Sequence, residues 1–130
     1  MSGEKNLAIL LKNMKPQLQT GDFVFCTVSN SYKIDLSQII GSFKEEEGIT
    51  LILSKVYADE LNLEYFSIMS WITLQVHSAL EAVGLTAAFS KVLAENNISC
   101  NVVAGYYHDH IFVPKKDADK AVQLLYSLKS

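Results

Sequence analysis

The groups in this 130-residue chain that could do chemistry start at the join between a strand ending at His77 and a helix entered at Gly84-Leu85-Thr86, reached through Ser78 to Val83. A helix N-terminus leaves main-chain N–H groups unpaired beside the positive end of the helix dipole, and a glycine lets a ligand approach the backbone, so this junction suits a carboxylate. The same residues also fit a plain tight turn relaxed by Gly84 and capped by Thr86 or Ser78. His108-Asp109-His110 suggests a metal, but on a strand the two histidines share one face and the aspartate points away, too few ligands for a closed zinc site. A hydrogen-bonded turn is the reading there, and neither a metal nor a cofactor is expected. Cys100 with a histidine nearby is nominally a nucleophile and base, yet a thiol inside an apolar strand has a raised pKa and poor access. No nucleophile elbow, phosphate loop or dinucleotide fingerprint is present, so the protein is expected not to be an enzyme.

Composition narrows the partners. All 11 basic residues are lysine, against 14 acidic ones, for a formal charge of −3. Arginine supplies the planar fork that grips phosphates, guanines and carboxylates in two-point fashion, so its absence argues against nucleic acid and leaves backbone amides, hydroxyls, histidines and lysines to hold any anion. Glu45, Glu46 and Glu47 read as a solvated loop edge, because adjacent side chains do not converge. Cys26 and Cys100 each sit in an apolar run, as free thiols of a reducing cytosol do, and no secretory signal or membrane-length apolar stretch appears. A cytoplasmic protein with no membrane partner is expected.

The elements that must position these groups follow from periodicity. Leu7, Leu10, Leu11 and Met14 predict a helix over 4–14, which Pro16 and Gly21 close. Phe23 to Val28 and Ile49 to Leu53 predict strands, and Val56 to Leu63 a short helix. Between them, Ile34 to Phe43 fit either a short helix or a loop anchored under the sheet. The apolar run from Tyr65 to Val76 suits one long strand or two joined near Met69 and Ser70, with Ile72, Leu74 and Val76 facing the core and Trp71, Thr73, Gln75 and His77 making a mixed face. Leu85, Ala88, Phe89, Val92 and Leu93 form a helical stripe ended by Asn96 and Asn97. Ile98 to Ala104 and Asp109 to Val113 predict strands, and Asp117 is placed to cap a last helix with Ala118, Ala121, Val122, Leu125 and Leu128 inward.

The second half thus reads β-α-β-β-α, a ferredoxin-like β-α-β-β-α-β unit short of its last strand, and the first half lacks its opening strand. The expected fold class is α+β, two ferredoxin-like units with antiparallel sheets and helices on one face, divided as 1–69 and 70–130. Strands shared between halves or between subunits would complete them.

Trp71 to His77, Ala82-Val-Gly-Leu-Thr-Ala-Ala88, Asn97 to Val103 and Ala104-Gly-Tyr-Tyr-His-Asp-His-Ile-Phe-Val-Pro114 resemble the second unit of a bacterial family of tandem ACT-like proteins. Phe23 to Val28 and Phe43 to Ile52 resemble the first unit of that family. The second unit is also similar to the regulatory ACT domains of aspartate kinases. That resemblance implies an amino-acid effector framed by Val83, Gly84, Leu85 and Thr86 on the loop and by Cys100, Asn101 and Gly105 on or after the strand. Tyr106, Tyr107 or His108 would reach it across an interface. The implied function is a ligand-responsive regulatory module acting through a homodimer; the alternative is a protein-interaction scaffold that kept the fold and lost the ligand, docking through the Trp71 face.

Overall fold

The structure, a computed structural model, describes residues 6–75 and 84–129. Its contacts divide the chain into two compact units: residues up to Thr20 together with Ser70 onward, and Gly21–Met69.

The first of these units contains the expected β-α-β-β-α series. It runs β5 (Met69–Gln75), α3 (Leu85–Glu95), β6 (Asn101–Ala104), β7 (Asp109–Pro114) and α4 (Ala118–Ser127), numbered here for the whole chain. The strand missing from the sequence series comes from the N-terminus. After α1 (Leu7–Asn13), residues Lys15–Leu18 form β1 and pair antiparallel with β5, so the sheet order is β1-β5-β7-β6. Pro16, which signals an end to structure in the sequence, stands inside this strand. The Gln19 N–H donates to the Trp71 carbonyl at 2.8 Å, which makes odd-numbered residues of β1 the hydrogen-bonded ones and turns the missing N–H of Pro16 away from β5.

One core serves this unit. Leu10 and Met14 from the N-terminal segment are buried with Ile72 and Leu74, with Leu85, Phe89 and Leu93 of the expected stripe, with Ile111 and Val113, and with Ala121 and Leu125. Asn6 caps α1 by accepting the Ile9 N–H, and Asn97 in the left-handed region (φ 59°) turns the chain out of α3. Two local expectations need correction. β6 starts at Asn101 rather than Ile98, because Ile98 still bonds back to the Leu93 carbonyl. Asp117 occupies the N-cap position of α4, but its side chain makes no capping hydrogen bond and lies 3.9 Å from Lys116 Nζ instead.

The face away from the helices carries a polar row across three strands. Gln75 donates to Gln17, and Gln19 Nε2 donates to Thr73 Oγ1 at 2.9 Å. His110 Nδ1 lies 3.1 Å from Trp71 Nε1 and 3.2 Å from Thr73 Oγ1. An indole nitrogen can only donate, so Nδ1 accepts and the neutral His110 ring carries its proton on Nε2. Trp71 also stacks on Phe112, with centroids 6.0 Å apart.

The second unit, Gly21–Met69, is built from β2 (Phe23–Val28), β3 (Ile39–Lys44), β4 (Ile49–Ser54) and α2 (Lys55–Glu60), in the order β3-β4-β2. Met69 is the Cα partner of Phe23. Where a ferredoxin-like unit has its first helix, this one has the single 3-10 turn Leu36–Gln38, capped by Asp35. That resolves the ambiguous stretch as a turn followed by a strand. β3 escaped the sequence pattern because a register shift between Ile39 and Gly41 breaks its alternation. Ala58 of α2 packs with Val24, Cys26, Val28, Leu51 and Leu53. Asp59 accepts from Lys55 Nζ at 2.9 Å and from the Tyr65 hydroxyl at 2.7 Å, tying the segment after α2 to that helix.

Because Leu10 is 1% exposed in a core made mainly of residues beyond 70, Leu10→Ala should cost about 2–5 kcal/mol, read by urea unfolding; a loss under about 1 kcal/mol would mean α1 is only loosely attached. Acid stability gives a second expectation. Burial foremost, with the His108 charge, holds His110 below its ordinary value of 6.5, while Asp109 pulls the other way. The unfolded chain therefore takes up the His110 proton first, and folding stability falls as pH drops below 6.5 toward the lower folded value. His110→Asn, which keeps an acceptor for Trp71 without titrating, should flatten that part of the melting-temperature profile; parallel profiles for the two proteins would exclude His110 as the cause.

Candidate functional site

Gly84 occupies the N-cap position of α3 with φ 97° and ψ −18°, a conformation open to glycine at little cost. Its carbonyl accepts the Ala88 N–H at 2.9 Å, so the helix is properly begun, and among the described residues no side chain caps it. Thr86 is exposed and makes no cap, which sets aside one of the two capping residues read from the sequence; the other, Ser78, lies outside the described residues. No acidic residue stands in the first turn. The amides of Leu85, Thr86 and Ala87 lack intrahelical acceptors by helix geometry, and the two exposed residues open that turn to solvent at its positive end.

A neighbour bounds the junction on one side. A Cβ added at Gly84 would sit 3.1 Å from Leu7 Cδ2, so the first turn of α1 packs directly over the glycine. Gly84 therefore has two structural reasons to be glycine, its positive φ and the closeness of Leu7, besides any approach of a ligand. Sequence reasoning missed Leu7 because nothing local in the chain links residue 7 to residue 84. Val83 and residues 76–82 lie outside the described residues.

The remaining candidates gather on β6 and the turn after it. Cys100 packs half-buried against the core of its unit, and burial pushes its thiol up to about 11, leaving it protonated at neutral pH. Asn101 opens β6, its side-chain amide 3.5 Å from the Phe112 carbonyl. Gly105 starts the turn, where its N–H donates to the His108 carbonyl at 2.9 Å; a Cβ there would lie 2.9 Å from that carbonyl oxygen and 3.3 Å from His110 Nε2. Tyr107 is 72% exposed and meets Tyr106 edge-on, with centroids 5.0 Å apart. β6 follows the C-terminal end of α3, so Cys100, just before the strand, and Asn101, its first residue, stand at one end while Gly105 and Tyr107 follow the other, roughly 10–15 Å further along. The structure thus joins Gly84, Leu85 and Thr86 as one group and strings the other four along a single strand and turn.

His108-Asp109-His110 is divided by its surroundings. His110 is committed to Trp71 and Thr73, His108 Nδ1 is buried with no hydrogen-bond partner, and burial raises the Asp109 carboxyl. Among the described residues no group of three or more His, Cys, Asp or Glu side chains is arranged to hold a metal. Nor is any described helix long and apolar enough to cross a membrane.

Against this geometry, comparison with known proteins is specific at the family level. The ACT domain is matched twice, over residues 2–70 and again over residues 67–127. No curated protein matches the sequence. A solved Vibrio cholerae protein of unknown function, described as a possible transport protein, is 52% identical over 99% of this chain and 100% of its own, with a TM-score of 0.86. The regulatory subunit of aspartate kinase from Thermus thermophilus, in its ligand-free form, shares the fold at 7% identity and TM-score 0.62, over 88% of this chain and 97% of that one. Aspartokinase III of Escherichia coli, solved with aspartate and ADP, shares it at 15% identity and TM-score 0.63, over 92% of this chain and 33% of the enzyme. The resemblance read from the sequence holds over both halves, and the chain belongs to the ACT domain family, with two such domains in tandem.

Proposed function

We propose that this protein is a non-catalytic regulatory module that binds a small amino acid and acts through a homodimer in the cytoplasm, its sequence read as units 1–69 and 70–130. The observation that carries the reading is the first turn of α3, exposed at Thr86 and Ala87 and without a side-chain cap among the described residues, in a chain without arginine. The ligand carboxylate would lie on the amides of Leu85 and Thr86 beside Gly84, with Val83 on the approach and Cys100, Asn101, Gly105 and Tyr107 as the second group of contacts. Aspartokinase III, similar in fold, is a protein solved with aspartate, which supports an amino acid as the class of ligand. A ligand that binds only the folded protein raises its stability by mass action, about 2.7 kcal/mol at a hundred times Kd.

Thermal-shift screening of the twenty amino acids at millimolar concentration should find at least one that raises the melting temperature by several degrees; a flat response to all of them removes the sensing function. The informative variant is Thr86→Asp. Replacing Gly84 would force a side chain into a positive-φ position against Leu7, confounding fold with site. An aspartate at exposed position 86 instead suits the helix dipole and repels a carboxylate, so the fold should hold while the ligand response disappears. An undiminished response would place the ligand elsewhere.

A further inference from the structure

Charge and exposed apolar surface are shared unevenly between the two units. Gly21–Met69 holds eight acidic residues against three lysines, a charge of −5, and because the whole chain stands at −3 the remainder carries +2. Among the described residues, five large apolar side chains are at least 70% exposed, and four of them belong to this same acidic unit: Leu36, Phe43, Val56 and Phe66. A surface both acidic and apolar is complemented by a segment both basic and apolar.

β3 brings this chemistry to an open edge. Leu36 stands just before the strand, Ile40 is exposed at its register shift, Phe43 is 72% exposed near its end, and Lys44 leads into Glu45, Glu46 and Glu47. The Glu45 N–H donates to the Gly48 carbonyl at 2.9 Å, which makes 45 and 48 a hydrogen-bonded pair. Stepping back by twos, Phe43/Thr50 and Gly41/Ile52 are bonded pairs, whereas Lys44/Ile49 and Ser42/Leu51 are not. The N–H and C=O groups of Ser42 and Lys44 therefore point away from β4. Among the described residues β3 ends the strand order, so no strand meets them.

We propose that β3 is the docking edge for a basic, apolar-alternating strand of another protein, the one this module regulates. That identity of the occupant rests on the regulatory part of the proposed function, and on neither amino-acid binding nor the homodimer. The incoming strand would bond to the main chain of Ser42 and Lys44, lay its apolar side chains against Phe43 and set its lysines or arginines beside the three glutamates. Charge selects this occupant over a second copy, since two units of −5 repel, and over nucleic acid for the same reason. The register shift limits regular β3–β4 pairing to Gly41–Lys44 on one side of the shift, which keeps the edge short and discourages unselective pairing.

The probe is a labelled peptide of about eight residues alternating lysine with valine, set against one alternating glutamate with valine. Fluorescence anisotropy at low salt should show the lysine peptide binding at least about tenfold more tightly, and weakening as salt is raised. Ser42→Pro removes one outward N–H while sparing the β3–β4 bonds, and Phe43→Lys replaces the exposed ring with a like charge; each should lower the affinity about tenfold with the circular dichroism unchanged. Tyr126→Lys, which makes the same kind of change at an exposed ring of α4, should leave binding intact. Amide exchange of the complex should protect Ser42 and Lys44. No binding of the lysine peptide, equal binding of the two peptides, equal losses in Phe43→Lys and Tyr126→Lys, or unprotected Ser42 and Lys44 in the complex would overturn the docking edge and leave the amino-acid screen to stand by itself. Binding with all these signatures beside a flat amino-acid screen would keep the edge and remove the sensing function.

Discussion

The insertion of Leu10 and Met14 into a core formed by β5, β7, α3 and α4 is the constraint on which the rest of that unit depends. Those two side chains are fully buried, and the segment carrying them continues into the strand that closes the sheet beside β5. Without β1, the main chain of β5 would lose a row of partners, Gln75 would lose its bond to Gln17, and Thr73 would keep only His110. The same segment sets Leu7 against Gly84, so the wall of the candidate ligand site is fixed by the packing that completes the domain.

Much of this was legible in the sequence wherever the signal was local. The stripe from Leu85 to Leu93, the Phe23–Val28 strand and the alternation of Ile72 and Leu74 each read correctly, because burial of one face imposes its period on the residues. The missing last strand of the second half was also legible as a gap. Its source was not, since Pro16 in isolation ends a strand more often than it sits in one. Only the pairing with β5 shows that its absent N–H falls on the side where none is needed. β3 was hidden for the complementary reason, an irregular register that shifts the alternation midway.

At the candidate site the helix entry at Gly84 was legible in the sequence, but its surroundings were not. A glycine before a helix signals a helix entry, and Gly84 stands there at the N-cap of α3 with Thr86 exposed and no cap from any described side chain. The contact with Leu7 depends on tertiary folding across most of the chain and leaves no trace in spacing. His110 shows the same limit. Its nearness to Asp109 and His108 drew attention as a metal motif, whereas its partners are Trp71 and Thr73 on a strand far back in the chain.

That far-flung closure has a bearing on how the polypeptide acquires its shape during synthesis. Residues up to Thr20 are synthesised before any of the residues from 70 onward that they must join, so Leu10 and Met14 cannot enter their core until those residues follow. Gly21–Met69 has no such wait, because its strands and α2 are contiguous and can assemble as they emerge. Closing so long a loop is entropically slow, which makes docking of the N-terminal segment a late step and leaves the newborn chain dependent on escaping aggregation in the interval.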